Sequence, residues 1–102
     1  MARPRTELQT VLEEVLGSDH VYFQPPENLK MQYPAIVYSR DRTWDIFADN
    51  THYLRYKGYQ ITYIDWNPDS PTLDRIENLP MCSYDRHAEF ENLNHDYFII
   101  YF

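Results

Sequence analysis

Tyr53-Leu54-Arg55-Tyr56-Lys57-Gly58-Tyr59-Gln60-Ile61-Thr62-Tyr63-Ile64-Asp65 is the longest strand-like stretch of the chain. Tyr59, Ile61 and Tyr63 alternate with Gln60, Thr62 and Ile64. β-Branched and aromatic types dominate, as they do on a pleated surface with a packed side. Gly58 marks a candidate bulge within the run. Asp65-Trp66-Asn67-Pro68-Asp69 then reads as a turn.

Working outward, residues 70–79 read as a short helix. Ser70 is a cap, Pro71 suits the first helical position, and Leu73, Ile76 and Leu79 form an apolar stripe. Pro80 stops it. Residues 81–88 form another strand candidate, residues 89–94 a turn region, and residues 96–102 a final strand with bulky residues on both faces. A strand apolar on both sides belongs inside a sheet, or its second face meets another subunit.

On the N-terminal side, residues 6–16 read as a helix. Leu8, Val11, Leu12, Val15 and Leu16 lie on one stripe. Thr6 and Gln9 have capping-box spacing, and Gly17 suits the residue after the helix. Val21-Tyr22-Phe23-Gln24 is a short strand ended by Pro25-Pro26, which exclude helix and favour an extended turn. Residues 25–33 connect it to a strand that opens at Tyr33-Pro34 and runs through Ala35-Ile36-Val37-Tyr38-Ser39. Residues 40–52 mix charges with Trp44, Ile46 and Phe47 and read as a long loop or an irregular hairpin. Asp49-Asn50 is its turn signal. Such a segment is too polar for a core and too apolar to stay wet, so it is expected to pack on a partner.

The predicted order is α-β-β-β-α-β-β in one α+β domain over residues 1–102. Strands joined by short turns imply a mainly antiparallel sheet of four to five strands, with two helices packed on one face.

Composition narrows the function. The chain has 102 residues and a formal charge of −7, from sixteen acids against nine bases. No basic run exists, so wrapping nucleic acid by phosphate neutralisation is not expected. Ten Tyr are more than a minimal core requires, and Tyr suits half-buried sheet faces and protein interfaces. The lone Cys82 cannot form an internal disulfide. No apolar run approaches the roughly 18 residues of a membrane span, and the start has no signal-peptide character. Cytoplasmic synthesis without export is the expectation.

Candidate chemistry is thin. The histidines are His20, His52, His87 and His95. If the last two strands pair, His87 and His95 approach each other, with Asp85 and Asp96 beside them, as a possible zinc or non-haem metal set. The spacing matches no known ligand pattern, and turn hydrogen bonding with an Arg86–carboxylate pair explains it equally. Asp65, Asp69 and Asp85 as magnesium ligands lack a nearby Lys, and caps and turns account for the first two. Cys82 with His87 as a nucleophilic pair is weaker still, because a lone Cys by a strand is usually a small core residue. Two glycines, Gly17 and Gly58, cannot build a phosphate-cradling loop. No catalytic, cofactor-binding or metal-binding residue is therefore assigned.

An ordered set of segments carries a resemblance. It comprises Tyr22-Phe23-Gln24-Pro25-Pro26, Met31-Gln32-Tyr33-Pro34-Ala35-Ile36-Val37-Tyr38, Phe47-Ala48-Asp49-Asn50, Ile64-Asp65-Trp66-Asn67-Pro68-Asp69-Ser70, Leu79-Pro80-Met81-Cys82, Asp85-Arg86-His87 and Asn92-Leu93-Asn94-His95-Asp96. Together they resemble the small tail-terminator or tail-completion proteins of long-tailed, non-contractile bacteriophages, over roughly residues 21–102. The resemblance implies a virion component of the neck, assembled in the host cytoplasm, commonly as a hexameric ring. Its partners would be copies of itself, the major tail tube protein and the head connector, with DNA passing through the lumen without specific binding. It implies neither an enzyme nor a cofactor. A head-completion role in the same neck is the near alternative.

In a ring, Trp44, Ile46 and Phe47 are the expected loop anchors. Asp49, Asn50, Arg86, His87, Asn94 and His95 are expected as polar contacts or turn-fixing groups. The competing reading from another class is an acidic DNA mimic that inhibits a nucleic-acid enzyme. Its charges should be arrayed along one face, whereas here the acids are scattered among caps and turns. A metal-dependent hydrolase built on His87 and His95 is the third.

Overall fold

The computed structural model describes residues 3–48 and 51–102, with side chains described outside residues 44–54. The elements run α1 (Arg5–Leu16), β1 (Val21–Phe23), β2 (Ala35–Ala48), β3 (Thr51–Asp65), α2 (Thr72–Glu77), β4 (Cys82–Phe90) and β5 (Leu93–Tyr101). This is the α-β-β-β-α-β-β order that the periodicity predicts. The five strands form one sheet in the order β1-β2-β3-β5-β4. Three pairings are antiparallel, and β1 runs parallel to β2. The parallel pair departs from the short-turn expectation. The connection between β1 and β2 is long enough to return the chain to the same end, which parallel pairing requires.

Both helices lie on one face. Leu8 and Leu12 of α1 and Ile76 of α2 are fully buried against Ile36, Tyr38, Tyr59, Ile61, Tyr63, Phe98 and Ile100. Removing a side chain such as Leu, Ile or Phe from water contributes about 1.5–3 kcal/mol. The alternation in β3 is thus that of a strand packed on one side. In β5 the even-numbered residues are buried and the odd-numbered ones half-buried. Strand β5 sits between β3 and β4, as bulk on both faces predicts.

Buried tyrosines need partners for their hydroxyls. The Tyr38 hydroxyl donates to Gln9 Oε1 at 2.5 Å and accepts from Arg5 at 2.9 Å. Gln9 also donates to the Val21 carbonyl at 3.1 Å. Gln9 therefore joins α1 to the sheet and is not part of a capping box. The helix begins at Arg5, and Thr6 lies inside it with no side-chain cap. Gly17 takes the left-handed conformation (φ 81°), and its N–H donates to the Glu13 carbonyl at 2.9 Å, as the sequence predicts. The Tyr63 hydroxyl donates to Asp65 at 2.7 Å and lies 2.9 Å from Ser70 Oγ, which accepts the Thr72 N–H at 3.3 Å. Ser70 thus caps α2 while tying it to β3.

Two corrections concern strand lengths. Residues 40–48 are not a loop, and of the two readings the irregular hairpin holds: β2 continues through them, paired with β3 from Ala35↔Ile64 to Ala48↔Thr51. The register shifts between Arg40 and Thr43 and again between Ile46 and Phe47. Local polarity hides this strand, because a ribbon beyond the body need not alternate like a core strand. The turn expected over residues 89–94 is narrower. Glu91 and Asn92, with φ of 52° and 65°, alone connect β4 to β5. Both central residues have positive φ, as a tight hairpin turn requires.

Candidate assembly surfaces

Strand β5 pairs with β3 only from Asp65↔Asn94 to Gly58↔Tyr101. Beyond Gly58, β2 and β3 continue alone as a two-stranded arm. Six residues of strand from Thr43 to Ala48 reach about 20 Å. The arm accounts for principal extents of 51 × 25 × 22 Å and a radius of gyration of 14.5 Å, against about 13 Å for a compact chain of this length.

Gly58 sits where the arm leaves the body. Its backbone lies against the Arg42 carbonyl, opposite the register shift in β2, so no Cβ fits there. The bulge expected at Gly58 is present in the partner strand. The Phe102 N–H donates to the Lys57 carbonyl at 2.8 Å and closes the ladder at this point.

Trp44, Ile46 and Phe47 belong to the arm, in register with Tyr56, Leu54 and His52. Their side chains lie outside the described residues, as do Asp49 and Asn50 altogether. The four remaining predicted positions fall on β4 and β5. Arg86 pairs with Asp85 at 2.8 Å, and its guanidinium stacks on the Tyr97 ring at 4.4 Å. Asn94 is buried and donates to the Asp65 and Trp66 carbonyls at 3.4 and 3.2 Å. Those two bonds orient its amide, so Asn94 Oδ1 accepts from His87 Nε2–H at 3.0 Å. Asn94 and His87 thereby anchor the turn that follows β3. His95 Nδ1–H donates to the Leu93 carbonyl at 3.2 Å, and its ring meets Phe90 edge-on at 5.1 Å.

The structure does not bring His87 and His95 together. His87 pairs with Asp96 and Ala88 pairs with His95. The two imidazoles therefore occupy opposite sheet faces, since successive strand residues alternate. Among the described residues no group of three His, Cys, Asp or Glu is placed to hold a metal ion. Asp65 is engaged by Tyr63 and by the Asn67 N–H at 3.2 Å, which is a turn role. The Cys82 thiol is pushed up to about 11 by burial and then by Glu77, which opposes thiolate formation. No cavity opens among the described residues, and no described helix is long and apolar enough to cross a membrane.

Of two further surfaces, the sequence reading anticipated the first, the second face of the sheet, and missed the second, the outer strand. The sheet face away from the helices carries half-buried Val37, Gln60, Thr62, Tyr97, Ile99 and Tyr101 and no covering helix. The outer strand β4 exposes Tyr84 and Phe90, and Met81 is exposed just before it. Tyr84 packs edge-on against Phe98 at 5.3 Å and donates to buried Asp96 at 2.9 Å. Its hydroxyl is pushed up to about 12, by desolvation first and by that carboxylate second. The poorly alternating pattern of residues 81–90 was the available signal, because an edge strand presents large side chains without a core to order them.

The molecule is thus an α+β protein whose described surfaces include a tyrosine-bearing sheet face, an open strand edge and a projecting ribbon. No family model matches the chain, and no curated protein matches it.

Proposed function

We propose that this chain is a structural subunit of a closed ring at the head-proximal end of a non-contractile phage tail, ending the tail tube and receiving the head connector. One observation carries the assembly part of this reading: both helices cover the same sheet face, leaving Val37, Tyr97, Ile99 and Tyr101 half-exposed on the other. Tyrosine at a half-buried face packs its ring while its hydroxyl stays hydrated, which suits a protein interface. The ordered segments over residues 21–102 support the neck assignment. In a ring each subunit meets its neighbours through two different surfaces. The net charge of −7 supports a lumen along which DNA slides without sticking.

The test is the size of the pure protein, by sedimentation velocity, with and without its tail-tube protein. Rings, or co-sedimentation with tubes of limited length, are expected. A chain that stays monomeric and joins neither tube nor connector overturns the proposal.

A further inference from the structure

The charges of α1 run against its dipole. A helix favours acids at its N-terminus and bases at its C-terminus. Here Arg3 and Arg5 stand at the start, where Glu7 is the one acid of the first turn. Glu13, Glu14 and Asp19 stand at the other end, and the last turn holds no base. Glu14 and Asp19 are exposed. Among the described residues Glu14 makes no ion pair, and Asp19 meets only His20, at 3.8 Å.

Strand residues enlarge the basic end. The Arg3 guanidinium lies 3.6 Å over the Phe102 ring, and its backbone N–H donates to the Phe102 carbonyl at 3.3 Å. The Arg5 guanidinium lies 4.3 Å over the Phe23 ring and donates to the Tyr38 hydroxyl. Tyr38 in turn meets Tyr59 edge-on at 6.0 Å. Arg40 pairs with Tyr59, and Lys57 accepts the Phe102 N–H one step beyond the Gly58↔Tyr101 pair. Residues opposite each other in a ladder share a sheet face, so both bases belong to the face that α1 covers. Arg3, Arg5, Arg40 and Lys57 therefore gather around one row of rings. Arg3 pairs with Glu7 at 3.9 Å, while Arg40 and Lys57 are exposed and make no ion pair among the described residues. Asp41 and Arg42, in the neighbouring bulge, offset each other.

The two ends cannot meet within one molecule. A rigid helix of 12 residues spans about 18 Å, more than twice the screening length of about 8 Å at physiological salt. Four bases at one end are too few to hold nucleic acid against a chain of net −7. Their complement is carried by the other end of the same helix, so a second copy supplies it.

We infer that the basic end of α1 in one copy receives the acidic end of α1 in the next, with Arg40 and Lys57 facing Glu14 and Asp19. The two surfaces differ, so the contact is heterologous and repeats from copy to copy until rotation closes a ring. The arm leaves from the basic end and flanks the copy docked there. Opposed charges fix the direction in which successive copies point. That role accounts for charges that the dipole of α1 disfavours. The inference rests on the reading above that the protein self-associates.

Sedimentation velocity at physiological and high salt tests it, with circular dichroism as the folding control. R40E/K57E and E14K/D19K alter exposed side chains only, and each should weaken self-association about tenfold or more, because like charges then face each other. The variant combining all four substitutions keeps the net charge at −7 and should recover association. So should an equimolar mixture of the two doubles, in which every contact again joins opposite charges. High salt should weaken the wild type. Folded doubles that assemble normally, a combined variant that fails to rescue them, or wild-type association indifferent to salt each overturn the head-to-tail scheme and leave the ring reading standing. A wild type that never self-associates overturns both.

Discussion

Gly58 lies against the Arg42 carbonyl so closely that a side chain at residue 58 has no room. This contact marks the point beyond which β2 and β3 continue alone.

Gly58→Ala should therefore destabilise the fold by about 1–3 kcal/mol, the range for overpacking. Backbone, not a flexible side-chain tip, blocks the added methyl. Gly17→Ala is the contrast: nothing lies within 4 Å, and only the left-handed backbone opposes it, at about 1–2 kcal/mol. Denaturant unfolding compares the two. The arm's geometry should change only in Gly58→Ala, seen as altered amide shifts for residues 40–44. Unchanged shifts would show that the bulge does not depend on the glycine.

Asn94→Ala should cost about 1–3 kcal/mol, because it removes the buried donor that the Asp65 and Trp66 carbonyls use and leaves His87 without its acceptor. For a chain of this size the melting temperature should fall by several degrees. His95→Ala, whose side chain bonds only the nearby Leu93 carbonyl and touches Phe90, should move it far less. Equal effects would remove the turn-anchoring role of Asn94.

Trp44→Ala tests the arm directly. Its position opposite Tyr56, beyond the last β5 pairing, predicts weakened assembly with an unfolding midpoint close to wild type. A parallel loss of stability and assembly would place Trp44 in the core instead.

Tyr38, Tyr63 and Tyr84 all titrate above the ordinary value of 10.0, chiefly because burial disfavours the phenolate. Their protonated forms are favoured in the folded state. The resulting stability is complete below pH 10 and is lost as pH rises from 10 toward about 12, where Tyr84 ionises. Absorbance at 295 nm should show a late tyrosinate step that coincides with loss of near-ultraviolet dichroism. Tyr84→Phe should remove part of that step. A single early transition with the fold intact would contradict the burial of Tyr38 and Tyr63 and the Tyr84–Asp96 hydrogen bond.

Cys82 should react slowly with an aromatic disulfide reagent at pH 8. Its thiol sits at about 11 against an ordinary 9.0, so the native thiolate fraction is reduced about 100-fold. Unfolding in denaturant should restore the ordinary rate. Fast reaction of the native protein would mean that the thiol lies open to solvent.

What the sequence determined by itself was local. The stripe of Leu8, Leu12 and Val15, the alternation of Tyr59, Ile61 and Tyr63, the helix stop at Gly17 and the two-sided bulk of β5 are periodic or steric signals carried within a few residues, and each reappears in the structure. Their order was enough for the α+β class. What only the tertiary structure decided was how strands meet at a distance. The parallel β1–β2 pair, the extension of β2 through polar residues 40–48 and the placement of His87 and His95 on opposite faces depend on register. A one-residue slip in register moves every side chain to the other face. Which tyrosines lie beneath the helices and which remain on the open face follows from the same choice: Tyr38, Tyr59 and Tyr63 fall inside, Tyr97 and Tyr101 outside. Composition records that the rings are present, but only pairing between distant strands assigns each to a face.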